Sequence, residues 1–176
     1  MSYLVTFAIN KKDLIDDGKS IIVNPAHCVH LNYPLKSDEI FVKYSIDAYT
    51  KADSYPYPVS NLVDINFTGN AGGKNVIHDI LKPALELRRI QITESITHLD
   101  LSANTKLVQA FLNKIGLKTL KLPKVNVIEH LDIAHNYELA SITTNLPKIK
   151  HLNIIATKIG NIDPKKYSTL KFFKRY

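Results

Sequence analysis

The sequence contains one cysteine, Cys28, so no disulfide can form within the chain. Small secreted domains are commonly stabilised by several disulfides, and this composition therefore favours a reducing compartment. The chain also lacks any apolar run near the roughly 20 residues of a transmembrane helix. The apolar run at residues 3–9 follows no basic region and is too short for a signal core. We expect a cytoplasmic protein without membrane insertion; an effector exported without a cleaved signal would have the same composition.

Signatures of nucleophilic catalysis are also missing. Ser102 and Ser141 do not lie in a Gly-x-Ser-x-Gly setting. Cys28 occupies an apolar position in the pattern described below, where a thiol behaves as a small hydrophobic group. We therefore expect neither an enzyme nor a bound cofactor.

Acidic residues are scarce at the C-terminal end. From residue 146 onward the chain has eight basic residues and one acid, Asp163, whereas the preceding 145 residues balance to zero. Such a segment can attract nucleic acid or another anionic surface, or it can simply keep the end of the domain solvated. The candidate anion-binding residues are Lys148, Lys150, Lys165, Lys166, Lys171, Lys174 and Arg175.

A six-residue template recurs along the chain. Its positions one, four and six are apolar, and four copies carry histidine at position three, which is typical of a strand that buries one side. The copies are Cys28–Tyr33, Leu62–Phe67, Ile96–Leu101, Ile128–Ile133, Ile149–Ile154 and, more loosely, Tyr167–Phe172.

If these segments stack as parallel strands, positions three and five form two exposed columns that end at Thr169 and Lys171. This surface is the predicted partner-binding face. Its candidate residues are His30, Asn32, Asp64, Asn66, His98, Asp100, His130, Asp132, His151 and Asn153.

The spacing of the template indicates a solenoid. The central apolar residues of successive copies lie 34, 34, 32, 21 and 18 residues apart, near the periods of known repeat proteins. An asparagine follows three copies at position nine, as Asn70, Asn104 and Asn136, and Thr157 follows a fourth. The string apolar-x-x-apolar-x-apolar-x-x-Asn resembles the leucine-rich repeat.

The resemblance implies an α/β solenoid. We expect a leucine-rich-repeat-like right-handed coil with a parallel concave sheet, and with helical and extended segments mixed on the convex side. In that family the asparagine bonds to backbone groups where the chain leaves the strand. We expect one domain over residues 1–176, with an N-terminal cap at 1–20, irregular repeats at 21–172 and a basic end at 173–176.

Several connecting elements can also be predicted. Leucine, phenylalanine and isoleucine at three- and four-residue spacing predict a helix over residues 106–115, followed by Gly116. A second helix is predicted over 75–81, before Pro83. Apolar residues over 3–9 and alternating ones over 40–46 predict two further strands.

The exposed columns allow more than one function. Three histidines beside an aspartate form a plausible zinc ligand set and hence a metal-dependent hydrolase. Parallel side chains on one sheet do not converge as tetrahedral coordination requires, so a ladder of stacked or hydrogen-bonded imidazoles is the favoured prediction. The main functional hypothesis is a non-catalytic scaffold that binds another protein on this face. The alternative is binding of nucleic acid or an anionic surface by residues 146–176.

Overall fold

The computed structural model describes residues 2–47, 50–67, 76–142, 145–160 and 162–175. These residues contain eleven strands, five short 3-10 helices and one α-helix. The strands are β1 (Ser2–Asn10), β2 (Ile21–Val23), β3 (Glu39–Asp47), β4 (Leu62–Phe67), β5 (Arg89–Ile92), β6 (His98–Asp100), β7 (Gln109–Phe111), β8 (Thr119–Lys121), β9 (His130–Asp132), β10 (His151–Asn153) and β11 (Phe172–Lys174). The helix, α1, spans Val76–Leu81, and the 3-10 helices span Lys11–Asp13, Pro25–Leu31, Ala52–Ser54, Val59–Asn61 and Pro164–Lys166.

The chain forms a β-solenoid. Strands β4, β5, β7, β9, β10 and β11 pair in parallel, each with the next, so five crossings connect six strands of one sheet. Their central residues are spaced 25, 20, 21, 21 and 21 residues apart, at Ile65, Ile90, Ala110, Leu131, Leu152 and Phe173. After the first crossing, each coil therefore has nearly the same length.

The sheet continues beyond the solenoid in the antiparallel sense. Strand β1 lies between β4 and β3, and β2 forms the edge beside β3. Among the described residues, this large sheet therefore has nine strands, with β2 and β11 at its edges. The strands predicted over 3–9 and 40–46 are confirmed by β1 and β3.

A second, two-stranded sheet pairs β6 with β8. Leu99 and Leu120 point inward from these strands and join the same hydrophobic core as the central residues of the large sheet. The core thus lies between the two sheets. Apolar residues at the corners of the coils, such as Leu112, Ile115 and Leu139, complete it.

The structure does not support the predicted mixed helical and extended convex side, because the described connections contain few helices. Only α1, between β4 and β5, is α-helical, whereas β6 and β8 lie in the next two connections and a 3-10 helix lies in the last. The predicted helix over 106–115 is wrong, since this segment contains strand β7. Leu107, Leu112 and Ile115 are fully buried, but they turn inward at the corners of a coil. Lys114 has positive φ, which does not fit within a right-handed helix. By contrast, α1 confirms the helix predicted over 75–81 within its described part.

Two template copies differ locally from the prediction. The first contains the end of a 3-10 helix, because Asn24 accepts a hydrogen bond from the Ala26 N–H at 2.9 Å and Pro25 fixes the first helical position. In the last copy the strand begins later, and Phe172 pairs with His151 where Thr169 was expected.

Buried asparagines stabilise the corners of the coils. The Asn136 side chain donates to the carbonyls of Leu112 and Ile133, at 2.8 and 2.7 Å, and accepts from the N–H groups of Ile115 and Leu117. Asn104 donates to Leu81 and Ala84 in the preceding coil. Both residues are completely buried, so these bonds satisfy backbone groups that water cannot reach. Asn70 lies outside the described residues.

None of the helices in the described ranges combines the length and the apolar character needed to cross a bilayer.

Candidate functional site

One face of the large sheet carries two continuous rows of side chains, which we call the ladder face. The strand register fixes both rows. The first row is Lys43, Thr6, Asp64, Arg89, Gln109, His130, His151 and Phe172. The second row is Ser45, Leu4, Asn66, Gln91, Phe111, Asp132, Asn153 and Lys174.

Four rings follow one another in contact along the C-terminal half of this face, and we call them the ring row: Phe111, His130, His151 and Phe172. The ring centroids of Phe111 and His130 are 4.6 Å apart, and those of His130 and His151 are 5.1 Å apart with only 12° between the ring planes. His151 contacts Phe172 at 5.8 Å. Because the imidazoles stack face to face across neighbouring strands, their outer edges point to solvent.

A cation covers each end of the ring row. The Arg89 guanidinium lies 5.2 Å from the Phe111 ring centre, and the Lys174 ammonium lies 5.2 Å from that of Phe172. Such contacts are favourable because the face of an aromatic ring carries partial negative charge. The row of rings is therefore held between two positive charges.

Arg89 also connects the rings to an acid on the next strand. It donates to Asp64 Oδ1 at 3.0 Å and to Gln91 Oε1 at 2.6 Å. The Asp64 side chain is only 15% exposed, and burial raises the pKa of its carboxyl while Arg89 acts in the opposite direction. This pair marks the boundary between the polar and the aromatic halves of the face.

His130 is the more buried of the two stacked histidines. Burial lowers the pKa of its imidazole, and the neighbouring His151 lowers it further, whereas Asp132 raises it. The Asp132 carboxylate is itself held by the Ala134 N–H at 3.1 Å. The neutral form of the His130 imidazole is thus favoured.

The structure brings together only part of the predicted columns. His130, Asp132, His151 and Asn153 are neighbours in register as expected. His98 and Asp100 lie on β6, in the second sheet, where His98 Nδ1 contacts Thr119 Oγ1 at 2.8 Å and Asp100 contacts Lys121 at 3.4 Å. Sequence spacing alone could not show that β6 belongs to another sheet.

His30 and Asn32 also leave the predicted columns. His30 belongs to the 3-10 helix, and Asn32 ends that helix in the left-handed conformation with φ of 50°. His30 nevertheless borders the same cavity as Asp64 and Asn66, because the 3-10 helix packs against the ladder face.

Comparisons with models of known protein families, with curated proteins and with solved structures find no match to this chain. The site must therefore be interpreted from its own geometry.

The sequence analysis missed nine residues of the ladder face: Leu4, Thr6, Lys43, Ser45, Arg89, Gln91, Gln109, Phe111 and Phe172. Gln109 and Arg89 precede His130 in the sequence at successive intervals of about 21 residues. The alternation Arg89-Ile90-Gln91-Ile92 was a further signal for a strand at this position.

The zinc ligand set that the sequence left as a disfavoured alternative is not assembled, since His98 lies on a different sheet from His130 and His151. In the part of the chain that the structure describes, no three histidine, cysteine or acidic side chains are placed to hold a metal ion together.

The predicted anion-binding residues surround the last coil. Lys165 and Lys166 lie in the final 3-10 helix, and Lys171, Lys174 and Arg175 are in or beside β11. All five side chains are exposed, as is Lys148. Lys150 differs, because it pairs with Glu129 at 2.8 Å.

Proposed function

We propose that this protein is a non-catalytic scaffold that binds a segment of another protein on its ladder face. The observation that carries the proposal is the ring row from Phe111 to Phe172, which presents ring edges to solvent and has a cation at each end. Arg88 also lies over the Tyr33 ring, which contacts Phe41, but that cluster has two rings and one cation rather than a row of four rings with a cation at each end.

The chemistry of ring edges supports binding. The outer edge of an imidazole offers nitrogen atoms that donate or accept hydrogen bonds, and the edge of a phenylalanine ring carries partial positive charge. Carbonyl and carboxylate oxygens of a polypeptide would complement both. Rigid, pre-stacked rings also lose little conformational entropy when a partner binds.

The test uses the repeated template as its own control. A double variant, His130→Ala with His151→Ala, is compared with His98→Ala, which carries the same substitution in the same sequence context on the second sheet. A partner is captured from the native host with the wild-type chain, purified, and titrated against all three proteins. We expect the double variant to bind at least about tenfold more weakly, a loss of ~1.4 kcal/mol, and His98→Ala to bind normally.

Thermal unfolding accompanies the titration. The two histidines are partly exposed, so their removal should cost less than about 2 kcal/mol of stability. Equal weakening by the double variant and by His98→Ala, or full binding by the double variant, would contradict the proposal. A partner lost only because the double variant unfolds would assign the stack a structural role instead.

We further propose that the coils are of the leucine-rich-repeat type. The regular step of 20 to 21 residues between most strands supports this. So do Asn104 and Asn136, whose side chains bond to backbone groups of the preceding coil.

A second candidate function is binding of nucleic acid or an anionic surface by residues 146–176. The exposed side chains of Lys165, Lys166, Lys171, Lys174 and Arg175, gathered at one end of the solenoid, favour it. Binding of this kind falls steeply with salt because condensed counterions are released. Affinity for a DNA duplex that stays constant between low and high salt would reject this candidate.

A further inference from the structure

A polar cavity of about 420 Å³ lies where the antiparallel part of the large sheet meets the solenoid. This volume falls within the ~300–1,000 Å³ that is typical of small-molecule sites. Thr6, Asp64 and Asn66 line its floor, and His30, Lys43 and Arg89 line its walls. The ring row begins on the other side of Arg89.

The alternation of short and long side chains creates this cavity. In the first row of the ladder face, Thr6 lies between Lys43 and Asp64, on strands that are about 4.8 Å apart. The short threonine leaves a depression between the long Lys43 and Arg89 side chains. His30 overhangs it from the 3-10 helix, which packs on this side of the sheet.

The floor of the cavity is rich in hydrogen-bond acceptors. Asp64 contributes a carboxylate, of which Oδ1 accepts from Arg89. Asn66 Oδ1 is buried and has no hydrogen-bond partner among the described residues. An unsatisfied buried carbonyl costs stability, so it indicates a site that a donor completes. Asn66 is itself one of the residues that line the cavity.

The walls of the cavity carry the opposite charge. Lys43 and Arg89 are cations on two different strands, and both act on the Asp64 carboxylate electrostatically. His30 adds an imidazole from the 3-10 helix. The cavity therefore has one negative charge at its floor and cationic groups around its rim. A neutral sugar has no charged groups to pair with the floor and the rim. A zwitterion can place its cation at the acidic floor and its anion at the basic rim.

We propose that this cavity binds a free α-amino acid. The ammonium group of the ligand donates hydrogen bonds to Asp64 and Asn66 at the floor. The carboxylate of the ligand accepts from Lys43 and from Arg89 at the rim. Because both recognition groups belong to the amino-acid backbone, the side chain of the ligand extends through the open mouth of the cavity.

Isothermal titration with three related probes tests this assignment. L-alanine carries both charged groups, propionate lacks the amine and ethylamine lacks the carboxylate. We expect L-alanine to bind and each single-charge analogue to bind at least about tenfold more weakly, because each loses charge-assisted hydrogen bonds. Glucose serves as the neutral polyhydroxylated comparison and should not bind.

Two variants assign the contacts. Asn66→Leu removes the unpaired acceptor at similar size, and Lys43→Gln removes a rim charge. Both should weaken L-alanine binding by about tenfold or more. Lys121→Gln, which makes the same charge change on the second sheet, should leave binding unchanged.

The outcomes separate this proposal from the scaffold function. The His130→Ala with His151→Ala variant should bind L-alanine normally, since neither histidine lines the cavity. Absence of binding up to about 10 mM L-alanine, some tenfold above a millimolar Kd, would overturn the proposal. Equal affinity for propionate or glucose, or normal binding by Asn66→Leu in a folded protein, would overturn it as well.

Discussion

At the scale of single residues, the pKa of His130 depends on the groups around its ring. It lies between Phe111 and His151, with Asp132 beside it on the same strand and the Arg89 and Lys174 charges at the ends of the ring row. Burial and His151 favour its neutral form, whereas Asp132 favours the protonated form. Because the pKa of His130 is lowered by folding, the unfolded chain binds its proton more readily than the native state does.

Stability should therefore fall as the pH decreases below about 6.5, the ordinary histidine value. The contribution of His130 is complete above that value and is lost as the pH falls through its lower native pKa. Urea unfolding of the wild type and of His130→Phe at pH 7.5 and 5.5 measures this. The phenylalanine variant, which keeps a stacked ring without a titratable nitrogen, should lose less stability between these two pH values. An equal loss in both proteins would contradict this assignment.

At the scale of elements, the coils share a turn with unusual backbone geometry. Lys114, His135 and Ala156 each follow the central residue of their strand by four positions, and all have φ between 53° and 56°. Two of them also connect adjacent coils, because the N–H groups of Lys114 and His135 donate to Ala134 and Ile155 of the next coil. The left-handed conformation costs a non-glycine residue roughly 1–2 kcal/mol.

Ala156→Gly should consequently raise the free energy of unfolding by about 0.5–1 kcal/mol, which is the strain relieved less the entropy that glycine gains when unfolded. Denaturant titration provides the measurement. Ala134→Gly is the matched control, since Ala134 is buried and does not have positive φ. That substitution should lower the stability by about 1 kcal/mol. A loss of stability in both variants would mean that the turn is not strained.

At the scale of the whole molecule, β2 and β11 are the edge strands of the large sheet as far as the described residues show. The edge strand β11 places Lys171, Lys174 and Arg175 in or next to the unpaired edge. Lysines on an edge strand discourage pairing with another chain, because each would bring its charge close to a like charge. We therefore expect the basic end to protect this edge whether or not it binds a ligand.

Replacing Lys171 and Lys174 with threonine should promote self-association, because threonine favours extended structure and carries no charge. Sedimentation or size-exclusion chromatography over a range of concentrations would detect it. The same substitutions at Lys165 and Lys166, in the last 3-10 helix, form the control and should leave the mass unchanged. A double variant at β11 that keeps the mass of the wild type would argue against edge protection.

The sequence predicts the solenoid and its best-formed strands because they depend on local periodicity. β9 and β10 combine apolar residues at the expected positions with a buried asparagine after β9, and they pair in the predicted register. The same kind of reasoning failed at β7. Leu107, Leu112 and Ile115 face the core in a helix and in a coil corner alike, so their spacing cannot distinguish the two.

The candidate site was less accessible to prediction, because the sheet to which a strand belongs is a long-range property. β6 and β9 share the sequence His-Leu-Asp, yet β6 pairs with β8 and β9 pairs with β7. Arg89 and Phe111 belong to β5 and β7, two strands that the six-residue template did not include. A search for the 21-residue step, rather than for the histidine, would have identified both strands.

The order of side chains along the ladder face gives it a direction. Moving from β4 to β11, the first row changes from an acid through a guanidinium and an amide to imidazoles and finally to phenylalanine. A rod that lies along this row meets a different chemical group every ~4.8 Å, and the series is not the same when reversed. An elongated partner that lay along the solenoid axis would therefore meet a different series of chemical groups in each of its two orientations.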